Sequence, residues 1–480
     1  MLFHTFPFAA FLFIVFVLHW GLFSKHVKAQ NILLTFASYY FYSCWDYRFT
    51  ALLIASTLLD FGSGIIISNS QNTFKRKIWL GISLGLNLGL LGFFKYANFF
   101  IDSATLLLNQ LHISYSPNML QIILPVGISF YTFHGISYVL DCYYNRVQAT
   151  KNFSQYSLFV SFFPLLVAGP IERATHLLPQ LKSARSFTYS EALKGMKQIL
   201  WGLFKKLVIA DNCSQFATYA FDNYTTLPAS NLILGVFFFS FQIYGDFSGY
   251  TDMAIGIGRL FGIELLRNFS FPYFAKNISQ FWKRWHISLT SWFRDYLYIP
   301  LGGSRGSRFQ TLRNTFLVFM VSGFWHGANF TFLVWGFLHF LYFIPHLFNS
   351  KKSILENPEP SVGIKHIFQI GFTFTLVSFA WIFFRAQNLS EAFGYIHSMV
   401  YNPLFVNPFS IEQYRQAGLL LVLISFFIVI EWIGKKDDFA IEKLVQNRTP
   451  IFKYSAYGFL VFLILMYMKT ETSTFIYFQF

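Results

Sequence analysis

The chain is short of charge. Asp, Glu, Lys and Arg make up 12% of its 480 residues, about half of the roughly 25% found in an average soluble domain. An ordinary solvated globular surface and a disordered charged chain are both excluded. Cysteine is scarcer still: Cys44, Cys142 and Cys213 form no CxxC and no even-numbered framework, so neither a disulfide scaffold nor a thiolate metal site is expected, and the redox compartment stays open. HExxH and GxxxxGK[ST] are absent, which leaves zinc hydrolysis and P-loop phosphate binding without their signatures. No metal site is expected. No charged residue precedes Lys25; the first apolar segment therefore lacks the basic start of a cleaved signal peptide and reads as a retained span. No internal repeat is visible, whereas many secondary transporters show corresponding half-sequences.

What fills the space is apolar: 55% of residues are hydrophobic and 21% aromatic. Windows of the length needed to cross a bilayer core, about 20 residues, recur at Phe6–Phe23, Phe49–Ile67, Ile78–Phe94, Leu120–Leu140, Phe316–Pro345, Ile367–Phe384, Ala417–Ile433 and Ala456–Met468. With shorter or interrupted windows added, the expectation is an all-α polytopic membrane protein of about 11–13 transmembrane or re-entrant helices. A single membrane-embedded domain over 1–480 fits the lack of long polar linkers. The formal net charge of +15 needs no nucleic-acid partner, because Lys and Arg concentrate in cytoplasmic loops facing anionic lipid. Basic loops at Lys25 and Lys28, Lys75–Lys77, Arg146 and Lys151, and Arg305, Arg308 and Arg313 set a rough orientation with the N-terminus outside. Simple alternation then fails after Gly169, and Pro164, Gly169 and Pro170 predict a re-entrant or broken helix near "FPLLVAGPIE" (163–172).

Residues 242–303 carry charges that a lipid-facing helix does not tolerate, at about 2.5–3.5 kcal/mol each near the bilayer centre. This stretch is expected at the interface or facing a polar interior. Within it, Asp246, Tyr250 and Asp252 lie in "YGDFSGYTDMAIG", and the carboxylates are expected to satisfy buried arginines such as Arg259, Arg267 or Arg284. "FWKRWHISLTSWFRDYLYIP" brings Trp282, Lys283, Arg284, Trp285, His286 and Arg294; read as one helix, it puts Trp282, His286, Leu289 and Phe293 on a common face. An interfacial amphipathic helix explains the same pattern. Further on, His326 sits in "SGFWHGANF" beside Trp325, deep in an apolar run, with Gly323 and Gly327 permitting a locally unwound helix or a close approach. Alone, such a histidine is commonly one bonded to a neighbouring carbonyl. A buried neutral imidazole is also suited to taking a proton from a hydroxyl. His339 and His346 follow on what reads as the same span, and the remaining histidines have no comparable polar company. The loop "GGSRGSRFQTLRN" (302–314) offers Arg305 and Arg308 to phosphates, although positive-inside bias accounts for them too.

"WHGA" together with "FWKRWHISLTSWFRDYLYIPLGG" closely resembles the membrane-bound O-acyltransferase family, in particular its bacterial branch of integral-membrane proteins of alginate O-acetylation. Supporting stretches are "PVGISFYTFHGISYVLD" (125–141), "FFPLLVAGPIERATHLLPQL" (162–181), "GLFKKLVIADN" (202–212), "YGDFSGYTDMAIGIGRLFGI" (244–263) and the terminal "FIYFQF" (475–480). The chain departs from the family pattern at Leu165, where a polar residue is usual. The resemblance implies a buried tunnel in which acyl groups pass from a cytoplasmic thioester to a hydroxyl, with no bound cofactor and acetyl-CoA or another acyl thioester as donor substrate. It implies His326 as the catalytic histidine and His286 as the second functional position. Trp325, Trp282, Trp285, Lys283, Arg284, Arg294, Arg305, Arg308, Asp246 and Tyr250 are then candidate substrate or donor contacts. Implied partners are membrane lipid, periplasmic or extracellular acetyltransferase proteins, and an exported polysaccharide reached directly or through such a protein, at the bacterial inner membrane. Peptidoglycan or cellulose as acceptor, D-alanyl transfer to teichoic acid, and a transporter are the competing readings.

Overall fold

The computed structural model describes residues 1–113, 120–348, 363–446, 448–468 and 475. Residues 349–362 and all but Phe475 of the terminal "FIYFQF" lie outside them. The described residues contain helices and no strand, and seven helices are long and apolar enough to cross a membrane: Tyr47–Asn69, Thr73–Gln110, Ala229–Leu260, Phe330–Phe348, Ile364–Arg385, Glu412–Gly434 and Pro450–Tyr467. Phe6–Leu22 is a shorter apolar helix. The chain is a multi-pass membrane protein. Its Cα positions fall into two compact units, one of residues 1–196 with 253–266, the other of 197–252 with 267–480.

The first unit contains α1 (Phe6–Val17), α2 (Val27–Ser43), α3 (Tyr47–Asn69), α4 (Thr73–Leu91), α5 (Ala97–Gln110), α6 (Ile128–Tyr143), α7 (Phe153–Ser161), α8 (Phe163–Leu166) and α9 (Ala174–Lys182). The expected break near Pro164 is present. α7 stops at Phe162, the four-residue α8 follows, and the chain from Val167 to Arg173 is unwound with nearly every residue buried. Backbone that leaves a helix away from water must find partners within the protein. It does: Ser38 Oγ accepts from the Phe163 amide at 3.0 Å, and His134 Nε2 accepts from the Glu172 amide at 2.9 Å. The buried Glu172 carboxylate in turn bonds His176 Nδ1 at 2.8 Å and receives the Leu266 amide. Asp60, on α3, is held by Ser83 Oγ at 2.7 Å and Asn87 Nδ2 at 2.8 Å.

The second unit contains the rest of α10 (Tyr189–Leu203), α11 (Asp211–Asp222), most of α12 (Ala229–Leu260), α13 (Ile278–Arg284), α14 (Ile287–Phe293), α15 (Arg308–His326), α16 (Phe330–Phe348), α17 (Ile364–Arg385), α18 (Leu389–Tyr401), α19 (Ala417–Gly434) and α20 (Pro450–Tyr467). The apolar run 316–345, read as one span, is instead parts of two helices. α15 ends at His326, Gly327 is extended, and α16 begins at Phe330 and packs back along α15. Two glycines set how closely they pack. A Cβ on Gly323 would stand 2.4 Å from the Phe332 carbonyl oxygen, and one on Gly336 would stand 2.5 Å from that of Phe319. Backbone cannot yield as a side chain can. Gly336→Val is therefore expected to force α15 and α16 apart, with a cost at or above the 1–3 kcal/mol typical of overpacking, about; a lowered thermal unfolding temperature in detergent checks it, and an unchanged one would show that the hairpin tolerates separation.

Candidate active site

His326 and His286 converge within the second unit. His326 is the last residue of α15 and is 3% exposed. Its ring is enclosed by Trp325, Trp335 and Phe384, with centroids 4.9, 5.1 and 5.2 Å away. At the next residue, Gly327, a Cβ would overlap the Phe332 ring. The helix ends where its histidine is needed, so His326 is displayed at a terminus with unwound chain beside it.

His286 is reached by a different route, and the expectation of one continuous helix fails here. α13 ends at Arg284, α14 begins at Ile287, and His286 between them has φ 44° and ψ 52°. Few non-glycine residues adopt this left-handed region, and holding one there costs about 1–3 kcal/mol. Neighbouring backbone supplies the restraint: the Ile287 amide donates to the Asn268 carbonyl at 2.9 Å, and the Ser270 amide to the Arg284 carbonyl at 3.0 Å. Asn268 also accepts from Ser288 Oγ. Consequently Trp282 and His286 share no helical face. The elbow turns His286 toward α12, its ring 4.7 Å from Phe247 and 6.0 Å from Trp325.

The two imidazoles lie 6.5 Å apart, centre to centre, at 60°. Neither nitrogen of His286 has a hydrogen-bond partner among the described residues. Burial pushes its pKa down to about 3, so it is neutral at physiological pH. An unsatisfied buried imidazole is costly unless a ligand completes it. Two imidazoles separated by about the width of a small polar group can hold a hydroxyl, with one accepting its proton and the other orienting it or stabilising charge nearby.

A cavity of about 430 Å³ lies against the same helices, lined by Trp282, Lys283, Leu289, Arg294, Tyr298 and Ser322 among others. Its surface is mostly apolar. Lys283 and Arg294 supply its positive charges, and Ser322 stands one turn before His326 on α15. The second unit thus holds a buried histidine pair and, lined by residues of the same helices but not by the histidines themselves, an apolar cavity with two exposed cations.

The other sequence candidates separate into groups. Trp325 is at the histidines, while Trp282, Lys283 and Arg294 line the cavity. Trp285 stacks on Phe281 at 5.5 Å and packs on Trp381 at 5.1 Å, as part of the aromatic core. Arg284 lines a different, basic pocket. Tyr250 is buried with its ring 5.3 Å from Phe475. Arg305 and Arg308 are exposed, at and before the start of α15, and are not among the residues lining the cavity.

Asp246 and Asp252 do meet buried cations, but lysines rather than the expected arginines of the 259–284 stretch. Lys206 Nζ lies 2.7 Å from Asp246 and 2.9 Å from Asp211, and Lys205 pairs with Asp252. Both lysines occupy a π-helical segment, Phe204–Ala210, whose extra residue per turn lets adjacent lysines reach separate partners. These residues were missed by a reading centred on 242–303. Two lysines inside the apolar "GLFKKLVIA" are the same kind of signal as His326 and would have found them. His339, read with His346 as following His326 on the same span, was not among the site candidates. It lies on the returning α16, not on one span with His326; its ring packs 4.9 Å from Trp335 and 5.0 Å from Trp282, and its nitrogens meet no hydrogen-bond partner among the described residues. Two GxSxG strings, at 81–85 and 302–306, make no serine-nucleophile elbow. Ser83 is inside α4 and bonded to Asp60, Ser304 lies in an exposed loop, and the described residues contain no strand to precede either.

Comparison with known proteins identifies the family. Residues 147–385 match the model of the membrane-bound O-acyltransferase family. A probable alginate O-acetylase from Pseudomonas putida is 36% identical over 88% of this chain and 86% of its own length. Another from Pseudomonas aeruginosa is 39% identical over 88% of this chain and 79% of its own. A peptidoglycan O-acetyltransferase from Helicobacter pylori is 38% identical over 79% of this chain and 75% of its own. With similarity of this degree running through most of its length, the chain belongs to the membrane-bound O-acyltransferase family and is an O-acyltransferase.

Proposed function

We propose that the enzyme takes an acetyl group from a cytoplasmic thioester, acetyl-CoA, and delivers it for O-acetylation of an exported, alginate-like polysaccharide at the bacterial inner membrane. The observation that carries the reading is the buried His286–His326 pair next to the cavity bordered by Lys283 and Arg294. The apolar chamber suits the pantetheine arm and acyl end of the donor, and the cations suit its phosphates. His326 removes the acceptor hydroxyl's proton as the oxygen attacks the thioester carbonyl. His286 orients that hydroxyl or stabilises the tetrahedral oxyanion, and collapse of the intermediate expels the CoA thiolate, which takes up a proton. The acceptor is the polymer itself or a residue of an extracytoplasmic acetyltransferase that passes acetyl on. The transport reading requires solute movement without thioester cleavage.

Purified protein supplied with labelled acetyl-CoA tests this. CoA release dependent on an acceptor is expected, and its absence with retained folding would remove the donor assignment. A Lys283→Ala/Arg294→Ala variant should raise the donor KM at least about tenfold, the scale of one or two lost charge-assisted contacts, with kcat less affected. If the Arg305→Ala/Arg308→Ala variant produces that rise instead, the donor's phosphates sit at the exposed loop rather than the cavity rim. Peptidoglycan is the second reading, favoured by the Helicobacter pylori relative at 38% identity; acetyl content of each purified polymer, with and without the chain, separates the two.

A further inference from the structure

The second unit holds another pocket that the transfer chemistry does not use. It is about 260 Å³ and is lined by Lys276, Arg284, Lys435 and Lys436 together with His366, Phe274, Trp432 and Ile370. Four permanent cations share this small space, and no carboxylate is among the described lining residues. Of the acids nearest in sequence, Asp437 lies 2.9 Å from Lys443 and Asp438 3.6 Å from Arg267. Trp432 forms an aromatic wall, with Lys435 Nζ 3.4 Å from its ring centre and Phe274 edge-on at 5.1 Å. His366 contributes a buried Nδ1 with no hydrogen-bond partner among the described residues.

Location narrows the ligand. The pocket sits at the C-terminal end of α19 and the N-terminal turns of α17, both helices of membrane-crossing length. Lys365, Lys435, Lys436, Lys443, Arg448 and Lys453 cluster in sequence around those ends, which marks the end as cytoplasmic. From the pocket, α17 carries an exposed apolar strip of Ile364, Ile367, Phe368 and Phe372. A soluble anion would use the cations and leave that strip unused. A phospholipid uses both, with its phosphate among the lysines, glycerol against Trp432 and acyl chains along α17.

We propose that this pocket binds the phosphate-bearing headgroup of an anionic phospholipid of the cytoplasmic leaflet, separately from the acyl-donor cavity. Each lysine near such a headgroup contributes about 1 kcal/mol, so several together should favour an anionic over a zwitterionic lipid by at least about tenfold. Native mass spectrometry of the full chain in detergent, offered equal phosphatidylglycerol and phosphatidylcholine, reads this ratio directly. Lys276→Ala/Lys435→Ala/Lys436→Ala should lower it at least about fivefold, while the corresponding triple arginine variant keeps it. If the triple alanine variant does not fold, the single variants Lys276→Gln and Lys436→Gln carry the same expectation at about two- to fivefold each. Equal retention of both lipids by the unmodified protein, or unchanged retention in the lysine variants, overturns the proposal. So does release of bound phosphatidylglycerol by millimolar inorganic phosphate, which would make this a free-anion site, or by acetyl-CoA, which would assign it to the donor. The readout is lipid retention, so it stands whether or not the acceptor polymer has been correctly proposed.

Discussion

Replacing His326 with alanine is expected to lower acetyl transfer by about 10²- to 10⁴-fold, the usual contribution of a positioned general base, while the protein stays inserted and abundant. The residue is buried against Trp325, Trp335 and Phe384, so alanine also opens a gap, and some loss of thermal stability will accompany it. His326→Gln separates the two effects. It keeps polar bulk at the end of α15 but lacks a group basic enough to take a hydroxyl proton, so it should lose activity to a similar degree with a smaller stability change. Turnover of labelled acetyl-CoA and thermal unfolding, measured on the same preparations, give both quantities. Transfer persisting within tenfold of the unmodified enzyme in the folded glutamine variant would assign the base elsewhere, with His286 the next group to test.

The second large effect concerns folding rather than chemistry. Lys206→Met leaves Asp211 and Asp246 without the ammonium that lies 2.9 and 2.7 Å from them, in a place where Lys206 and Asp246 side chains are 5% and 4% exposed. Breaking a buried ion group by removing one member costs about 3–5 kcal/mol, because the remaining charge is stranded. The expected result is a sharply lowered unfolding temperature or poor accumulation in the membrane. Adding Asp211→Asn and Asp246→Asn to Lys206→Met removes the stranded charges and should restore part of the loss. This also tests the sequence reading of Asp246 as a substrate contact. If Asp246→Asn folds like the unmodified protein and loses transfer through a raised acceptor or donor KM, the carboxylate touches substrate and the network is secondary.

Why some of this was legible follows from how membrane proteins treat polarity. Lipid tolerates so few charges that an ionisable residue in an apolar run must face the protein interior. That logic singled out His326 and placed the charged 242–303 stretch at the interface or facing a polar interior; α12, which carries its first part, is mostly buried. It also covers Lys205 and Lys206, which are detectable by the same rule though their acidic partners are 5 to 47 residues away in sequence. The break at 162–173 was legible because Pro164, Gly169 and Pro170 act locally on the backbone. The elbow at His286 was not. Nothing within "KRWHIS" forbids a helix; the break depends on hydrogen bonds to residues 268–270, and those are made only once the chain has returned upon itself.

The sequence by itself determined solvent and chemistry: scarcity of charge placed the chain in lipid, and imidazoles and lysines inside apolar runs marked where the interior is polar. Tertiary structure alone decided which of those groups meet. His286 and His326 are 40 positions apart, and they face each other because a left-handed residue separates α13 from α14 while Gly323, Gly327 and Gly336 let α16 turn back closely along α15. Burial is a property each residue carries in its composition and neighbours, whereas a distance between side chains exists only after backbone hydrogen bonds and close packing have fixed the path between them.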